Sequence, residues 1–186
     1  RKKAYKIINN LDIDESNSHK LFYETFKINY MFSAYKLSEA CSYREDIKNN
    51  ENKIQNNYFL KIDIFCLVLQ EKFDQANLLN SLLIEVGNQD NYFQFLFEKL
   101  KKIKENNIHK ESDINLDNIF LYSAMHRIGN LPLTSEFLDV DPINLSIPII
   151  LSSSSNIELR IKAAHYAYFN KLISEDSLAA LYQTVD

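Results

Sequence analysis

Two glycines and three prolines in 186 residues constrain this chain more than any other feature. Tight β-hairpin turns draw on glycine's positive φ or proline's fixed φ, whereas helix interiors exclude both residues. A chain so poor in both has little with which to turn the many strands of a sandwich or barrel. The expectation is an all-α protein. A hydrophobic share of 46% against 25% charged residues is enough to bury a core without metals or other staples. The formal net charge of −4 argues against a dedicated nucleic-acid binder, whose affinity would rest on many lysine and arginine contacts to phosphate. Uninterrupted apolar stretches are only a few residues long, as in Ile-Pro-Ile-Ile-Leu151, far short of the roughly 20 residues a membrane helix requires, so no membrane insertion is expected within the chain. Lysine outnumbers arginine 17 to 4 and asparagine occurs 21 times, a bias toward AT-rich codons that leaves the asparagine runs without functional weight. The chain starts at Arg1 rather than a methionine, and it is expected to be a processed product or part of a longer protein.

Hydrophobic periodicity divides the chain into successive helices. Leu21, Thr25, Ile28, Phe32 and Tyr35 recur at spacings of three and four between Glu15 and Tyr35, with Phe22, Phe26 and Tyr30 on an adjacent row and Ser16 or Ser18 as the cap. A shorter helix is read from Leu37 to Ile47, followed by an exposed polar loop over 48–57. Tyr58 to Gln70 is apolar nearly all round, which places it among other helices. Its β-branched content also suits a central strand, but its length and the helical pattern that follows favour a helix. That next helix should end at Val86 with Gly87 as a left-handed cap. Asn91 to Lys104 carries Phe93, Phe97, Leu100 and Ile103 on one face, and a polar stretch near 106–114 is the candidate break within an otherwise single domain, 1–186. Asp117 to Ile128 reads as a helix, Thr134 opens a short one, Asp141-Pro142 starts another that Pro148 should interrupt, and 152–155 is a loop. Ile157, Ile161, Ala164, Tyr168 and Leu172 stand in register on a strong helix whose Ala163, Ala164 and Ala167 permit close helix approach. Ser174 should cap the last helix, with Leu178, Leu181 and Val185 facing inward.

The chemistry-bearing residues form no motif. His19, His109, His126 and His165 are scattered singly, and neither they nor the cysteines have zinc-ligand spacing. The serine run 152–155 lacks the flanking glycines of a nucleophile elbow, and Gly87 and Gly129 are too isolated for a phosphate loop. No catalytic residue, metal or cofactor is expected. Asp63 lies in the most apolar helix, where a carboxylate must find an ion pair or an exposed edge, or shift its pKa. Cys41 and Cys66 sit on consecutive helices that should run antiparallel, so they meet if the register allows. The alternative is two buried free thiols, which composition favours. Tyr92, Phe93, Phe95 and Phe97 surround one helix and cannot all face the same way. Either Tyr92 and Phe95 pack on the next hairpin, or they join Tyr166, Phe169 and Tyr182 as partner-binding surface.

Short connections between helices of ten to twenty residues make antiparallel hairpins, and stacked hairpins make α-solenoids. The segment Leu67-Val-Leu-Gln-Glu-Lys-Phe-Asp-Gln-Ala-Asn-Leu-Leu79 resembles the turn of a tetratricopeptide-type repeat, with Phe73 and Ala76 as the locking aromatic and small residues. Weaker echoes lie at 125–132 and 168–174. The pattern lacks the usual glycine before the turn and has no strict 34-residue copy. The resemblance implies antiparallel hairpins stacked as a short irregular α-solenoid or helical-repeat bundle. Glu39-Ala-Cys41, Tyr58-Phe-Leu-Lys61 and Phe65-Cys66 are also similar to exported bacterial helical-repeat proteins in which a helix-borne cysteine pair flanks an aromatic-Leu-Lys segment. That likeness implies a Cys41–Cys66 disulfide and a periplasmic or cell-envelope setting, with a cytoplasmic one as the alternative.

Three functional expectations follow. The first is a non-enzymatic interaction or scaffold module with protein partners, part of a larger assembly. The second is an accessory superhelical domain of an enzyme, such as a cell-wall lytic enzyme, with catalysis elsewhere. The third is a binder of small molecules between helices.

Overall fold

A computed structural model describes residues 2–11, 17–50, 56–88, 90–101 and 114–184, with only the backbone of 49 and 50. Its elements are helices throughout: α1 (Lys2–Asn9), α2 (Lys20–Ser33), α3 (Leu37–Asn50), α4 (Asn57–Leu69), α5 (Phe73–Glu85), α6 (Asn91–Lys101), a 3-10 turn (Leu116–Asn118), α7 (Ile119–Ile128), α8 (Ser135–Val140), α9 (Pro142–Leu151), α10 (Ile157–Phe169) and α11 (Glu175–Tyr182). No strand occurs among the described residues, so 58–70 is helix, as its length indicated. Asn56 caps α4 by accepting from Tyr58 N. The expected loop at 48–57 begins later, because α3 runs on to Asn50, and the candidate break at 106–114 falls outside the described residues except for Ile114.

Five helices end in the same way. At Tyr35, Glu71, Gly87, Asn130 and Lys171 the backbone turns left-handed, with φ of 56°, 59°, 82°, 51° and 58°. In each case the next amide donates back five residues, as in Lys36 N to the Met31 carbonyl and Lys72 N to the Leu67 carbonyl. This Schellman closure satisfies carbonyls that a helix end would otherwise strand. Only Gly87 is glycine. Asparagine enters this region readily, but Tyr35, Glu71 and Lys171 accept the steric cost of a Cβ there, on the order of 1–2 kcal/mol each, in return for a tight reversal into the next helix. The turns at Tyr35 and Glu71 lie 36 residues apart, and each is followed five residues on by a fully buried alanine, Ala40 and Ala76. Gly129 keeps near-helical geometry, and its missing side chain gives room for a close approach, since a Cβ there would stand 3.3 Å from the Met125 carbonyl and 3.5 Å from Leu100 Cδ2.

α2 packs against α3, α7 and α9, α4 against α5 and α6, and α6 against α7, so the aromatic cores of Phe32, Phe59, Phe65, Phe93, Phe97 and Phe137 join into one interior. α9 and α10 pack most extensively along each other, and Ala163, Ala164 and Ala167 are all fully buried, as the close-approach reading required.

Several expectations are corrected. α2 turns Glu24, Lys27, Ile28, Met31 and Phe32 inward, leaving Leu21 and Phe22 exposed, because Glu24 and Lys27 share the Tyr43 hydroxyl of α3 and so carry their charges into the interface. Neither expected serine is seen to cap α2: Asn17 accepts from His19 N instead, and Ser16 lies outside the described residues. Pro148 does not interrupt α9. Proline removes the bond to the Asn144 carbonyl, but Leu145, Pro148 and Ile149 are buried and tertiary packing carries the helix across. On α10 the inward stripe is the alanines, while Tyr168 is exposed and Leu172 lies exposed in the turn beyond the helix end. Ser174 caps α11 through Ser177 N and Leu181 is buried, whereas Leu178 is half-buried and Val185 lies outside the described residues.

Candidate functional site

Antiparallel packing of α3 on α4 sets up rungs whose residue numbers have a constant sum. Cys41 meets Cys66 with the sulfurs 1.96 Å apart and the Cα atoms 5.6 Å apart, which is bonding distance. One turn further, Arg44 Nη2 donates to Asp63 Oδ2 at 3.0 Å and Nε lies 2.9 Å from Oδ1. The guanidinium also lies 4.6 Å over the Phe59 ring. Asp63 therefore takes the ion-pair alternative. Burial pushes its carboxyl above the usual value, and the Arg44 charge and hydrogen bond offset only part of that rise. A groove of about 700 Å³ follows this ladder, lined by Glu45, Asp46 and Asp63 against Arg44, Lys48 and Lys72, so acids and bases balance.

A second polar cluster lies beneath α6. Asp90 caps that helix: Oδ1 accepts from Phe93 N at 2.9 Å, while Oδ2 accepts from Lys61 Nζ at 2.5 Å, from Asn118 Nδ2 at 3.2 Å and from the Tyr122 hydroxyl. Burial alone would raise the Asp90 pKa, but the bonds from Lys61, Tyr122 and Phe93 N outweigh it and hold the carboxylate below its ordinary value. Burial, followed by the hydrogen bond to and the charge of Asp90, raises the Tyr122 hydroxyl well above its usual range. The cluster is satisfied internally, the condition under which buried polar groups rigidify a core.

Tyr92, expected at a partner surface, is a core residue with 1% exposure. Its ring stacks near His126, and its hydroxyl lies 2.6 Å from His126 Nε2. His126 Nδ1 is 2.9 Å from the Pro132 carbonyl, which can only accept, so Nδ1 carries the proton and Nε2 accepts from Tyr92. Burial pulls His126 down to about 4, against the opposing effect of the Pro132 carbonyl. Phe95 is half-buried, its ring 6.1 Å from Tyr92 and under Lys99 Nζ. Tyr92 thus packs on the following helix α7, as the hairpin-packing alternative has it, while the ring contacts of Phe95 lie within α6 itself. Ser152 and Ser155 are also structural, since Ser155 Oγ accepts from Leu133 N at 2.8 Å and donates to Ser152 Oγ at 2.9 Å.

The remaining three aromatics of the expected surface are exposed and lie on the last hairpin. Tyr166 and Phe169 project from α10 and Tyr182 from α11, with Leu172 in the turn between them, and Phe169 is 75% exposed. His165 joins the two helices: its Nε2 lies 2.5 Å from Tyr182 Oη, and its ring stands edge-on to Tyr182 and tilted against Phe169. α5 presents a second apolar strip, Leu78, Leu82 and Val86, at helical spacing. The Phe73 of the tetratricopeptide-like turn is about one-third exposed, while Ala76 is fully buried.

Sequence reasoning missed Asp90 and the Tyr92–His126 pair. An aspartate directly before an aromatic-rich helix is a readable N-cap signal, but its partners Lys61 and Tyr122 come from 29 and 32 residues away and carry no local signature. No protein-family model, curated protein or solved structure matches the chain. Among the described residues no three His, Cys, Asp or Glu side chains gather as a metal site, and no helix is long and apolar enough to cross a membrane.

Proposed function

We propose that this chain is a non-enzymatic helical-repeat module that acts by protein–protein contact, as a structural subunit of a larger assembly. The observation that carries this reading is the exposed aromatic surface of the α10–α11 hairpin, Tyr166, Phe169 and Tyr182 around Leu172. Tyrosine and phenylalanine in such positions supply large contact area at low entropic cost, and covering one exposed Phe ring is worth about 3 kcal/mol. The His165–Tyr182 contact helps hold that surface in one arrangement before a partner arrives. The paired turns at Tyr35 and Glu71, each with its buried alanine, support the repeat reading. The cysteine pair at bonding distance supports an oxidising compartment such as the cell envelope.

The test is affinity capture from native cells under mild extraction with quantitative mass spectrometry, comparing the natural chain with a Phe169→Ala/Tyr182→Ala variant. Recovery of one or a few chains near equal stoichiometry, lost with the variant, is the expected result. Recovery of the protein alone, or of partners indifferent to both substitutions, overturns the reading.

A further inference from the structure

The ends of three helices meet at a small pocket of about 150 Å³. Tyr35 follows the end of α2, Arg127 lies in the last turn of α7 with Asn130 just beyond it, and Leu151 ends α9 before the serines 152–154. The Arg127 guanidinium carbon lies 3.5 Å over the Tyr35 ring, which is itself fixed by a left-handed backbone turn. Stacking uses the face of the guanidinium and leaves the in-plane N–H donors free to point outward. Those donors are uncommitted. Arg44 is tied to Asp63, and Arg160 Nε donates to the Ile150 carbonyl at 3.0 Å, but the Arg127 side chain makes no ion pair or hydrogen bond among the described residues. Burial draws its pKa below the ordinary guanidinium value, the sign of a cation partly stripped of water without an anion in exchange. No carboxylate lines the pocket, whereas Asn130, Ser153 and Ser154 add polar groups to its rim.

The charge environment selects among anions. A helix C-terminus carries roughly half a negative charge, and residues at or just beyond three of them line this pocket, with Arg160 offsetting the end of α9. A dianion would be opposed more strongly than a monoanion, and a planar carboxylate matches the two parallel N–H donors of a guanidinium edge. We propose that the pocket between Tyr35, Arg127 and the 152–154 turn is a binding site for a single carboxylate, held by the in-plane donors of Arg127 with Ser153 and Ser154 closing over it. This proposal stands apart from the aromatic surface of the last hairpin and does not depend on it.

The full chain, labelled with ¹⁵N, would be titrated with N-acetylglycine, which offers a chain-terminal carboxylate, and with the α-amide of N-acetylglutamic acid, which offers a side-chain one. N-acetylglycinamide and inorganic phosphate serve as uncharged and multiply charged controls. The expected result is a saturable millimolar shift of the Arg127 Nε–H and of the Ser153 and Ser154 amides with at least one carboxylate, phosphate weaker, and no response to the amide. The tighter of the two carboxylates identifies its source as a chain end or an acidic side chain. Arg127→Lys keeps the charge but loses the fork and should weaken binding about tenfold. Shifts absent at Arg127, phosphate binding as tightly as carboxylate, or affinity unchanged in Arg127→Lys would each overturn the assignment. The wild-type titration decides the question even if a variant fails to fold.

Discussion

His126 is buried to 2% exposure with both ring nitrogens committed, Nδ1 to the Pro132 carbonyl and Nε2 to the Tyr92 hydroxyl. Protonation would place a charge in the core and replace the Nε2 acceptor with a donor. Its folded pKa is lowered to about 4, against 6.5 for the free side chain. For a base whose folded pKa is depressed, stability is intact above the unfolded value and falls as pH drops through the window between the two, because the unfolded chain takes up the proton first. That gap corresponds to on the order of 3 kcal/mol lost in full below pH 4, of which about 2 kcal/mol is already lost at pH 5. Asp63, raised in the folded state, acts in the opposite direction at acid pH, and Asp90, lowered, adds a loss below its unfolded value. The His126 contribution is isolated by urea unfolding of the natural chain and a His126→Gln variant between pH 7.5 and pH 5. The gap between their unfolding free energies should close by about 2 kcal/mol over that range. Two-dimensional NMR of the imidazole in the natural chain gives the pKa directly, whether or not the variant folds. An imidazole titrating near 6.5, or a gap constant with pH, would refute the reasoning.

The Cys41–Cys66 pair spans 25 residues, and in the chain-entropy model its loss through Cys41→Ala/Cys66→Ala costs about 3.5 kcal/mol, or about 9 °C in Tm for a chain of this size. Calorimetry of oxidised, reduced and substituted protein checks this, and a drop under about 3 °C argues against a closed bridge. Lys61→Met leaves Asp90 buried without its cation and should destabilise by about 3–5 kcal/mol in denaturant melts. Pairing it with Asp90→Asn should recover part of that loss, and strict additivity of the two changes would count against direct coupling. Phe169→Ala, at an exposed site, should change stability by less than about 0.5 kcal/mol, while Phe93→Ala in the core should cost about 3–5 kcal/mol; equal losses in thermal melts would contradict the burial assigned to each.

Much of this molecule is legible in its sequence. Scarce glycine and proline, with apolar spacings of three and four, determine an all-helical chain, because these are local properties of backbone freedom and helix periodicity. The caps at Gly87, Asp141 and Ser174 and the alanine stripe of α10 are local in the same sense. The aromatic residues illustrate the boundary. Tyr92 and Phe169 look alike as members of aromatic-rich helices, yet one is sealed against His126 and the other faces solvent, a difference set by which helix packs above each. At Tyr35, Glu71 and Lys171 the left-handed turn is made without glycine or asparagine, where the closing bonds and the next helix impose a conformation the residue itself disfavours. Pro148 is carried through α9 by the same kind of tertiary override. Of the buried charges, Asp63 stands out in its apolar helix, whereas Glu24, Lys27 and Lys61 carry no such signal, and the partners of all four are named only by folding. Periodicity determines which face of a helix is apolar, whereas the tertiary structure decides which face is covered, because burial depends on neighbours that the local sequence does not encode.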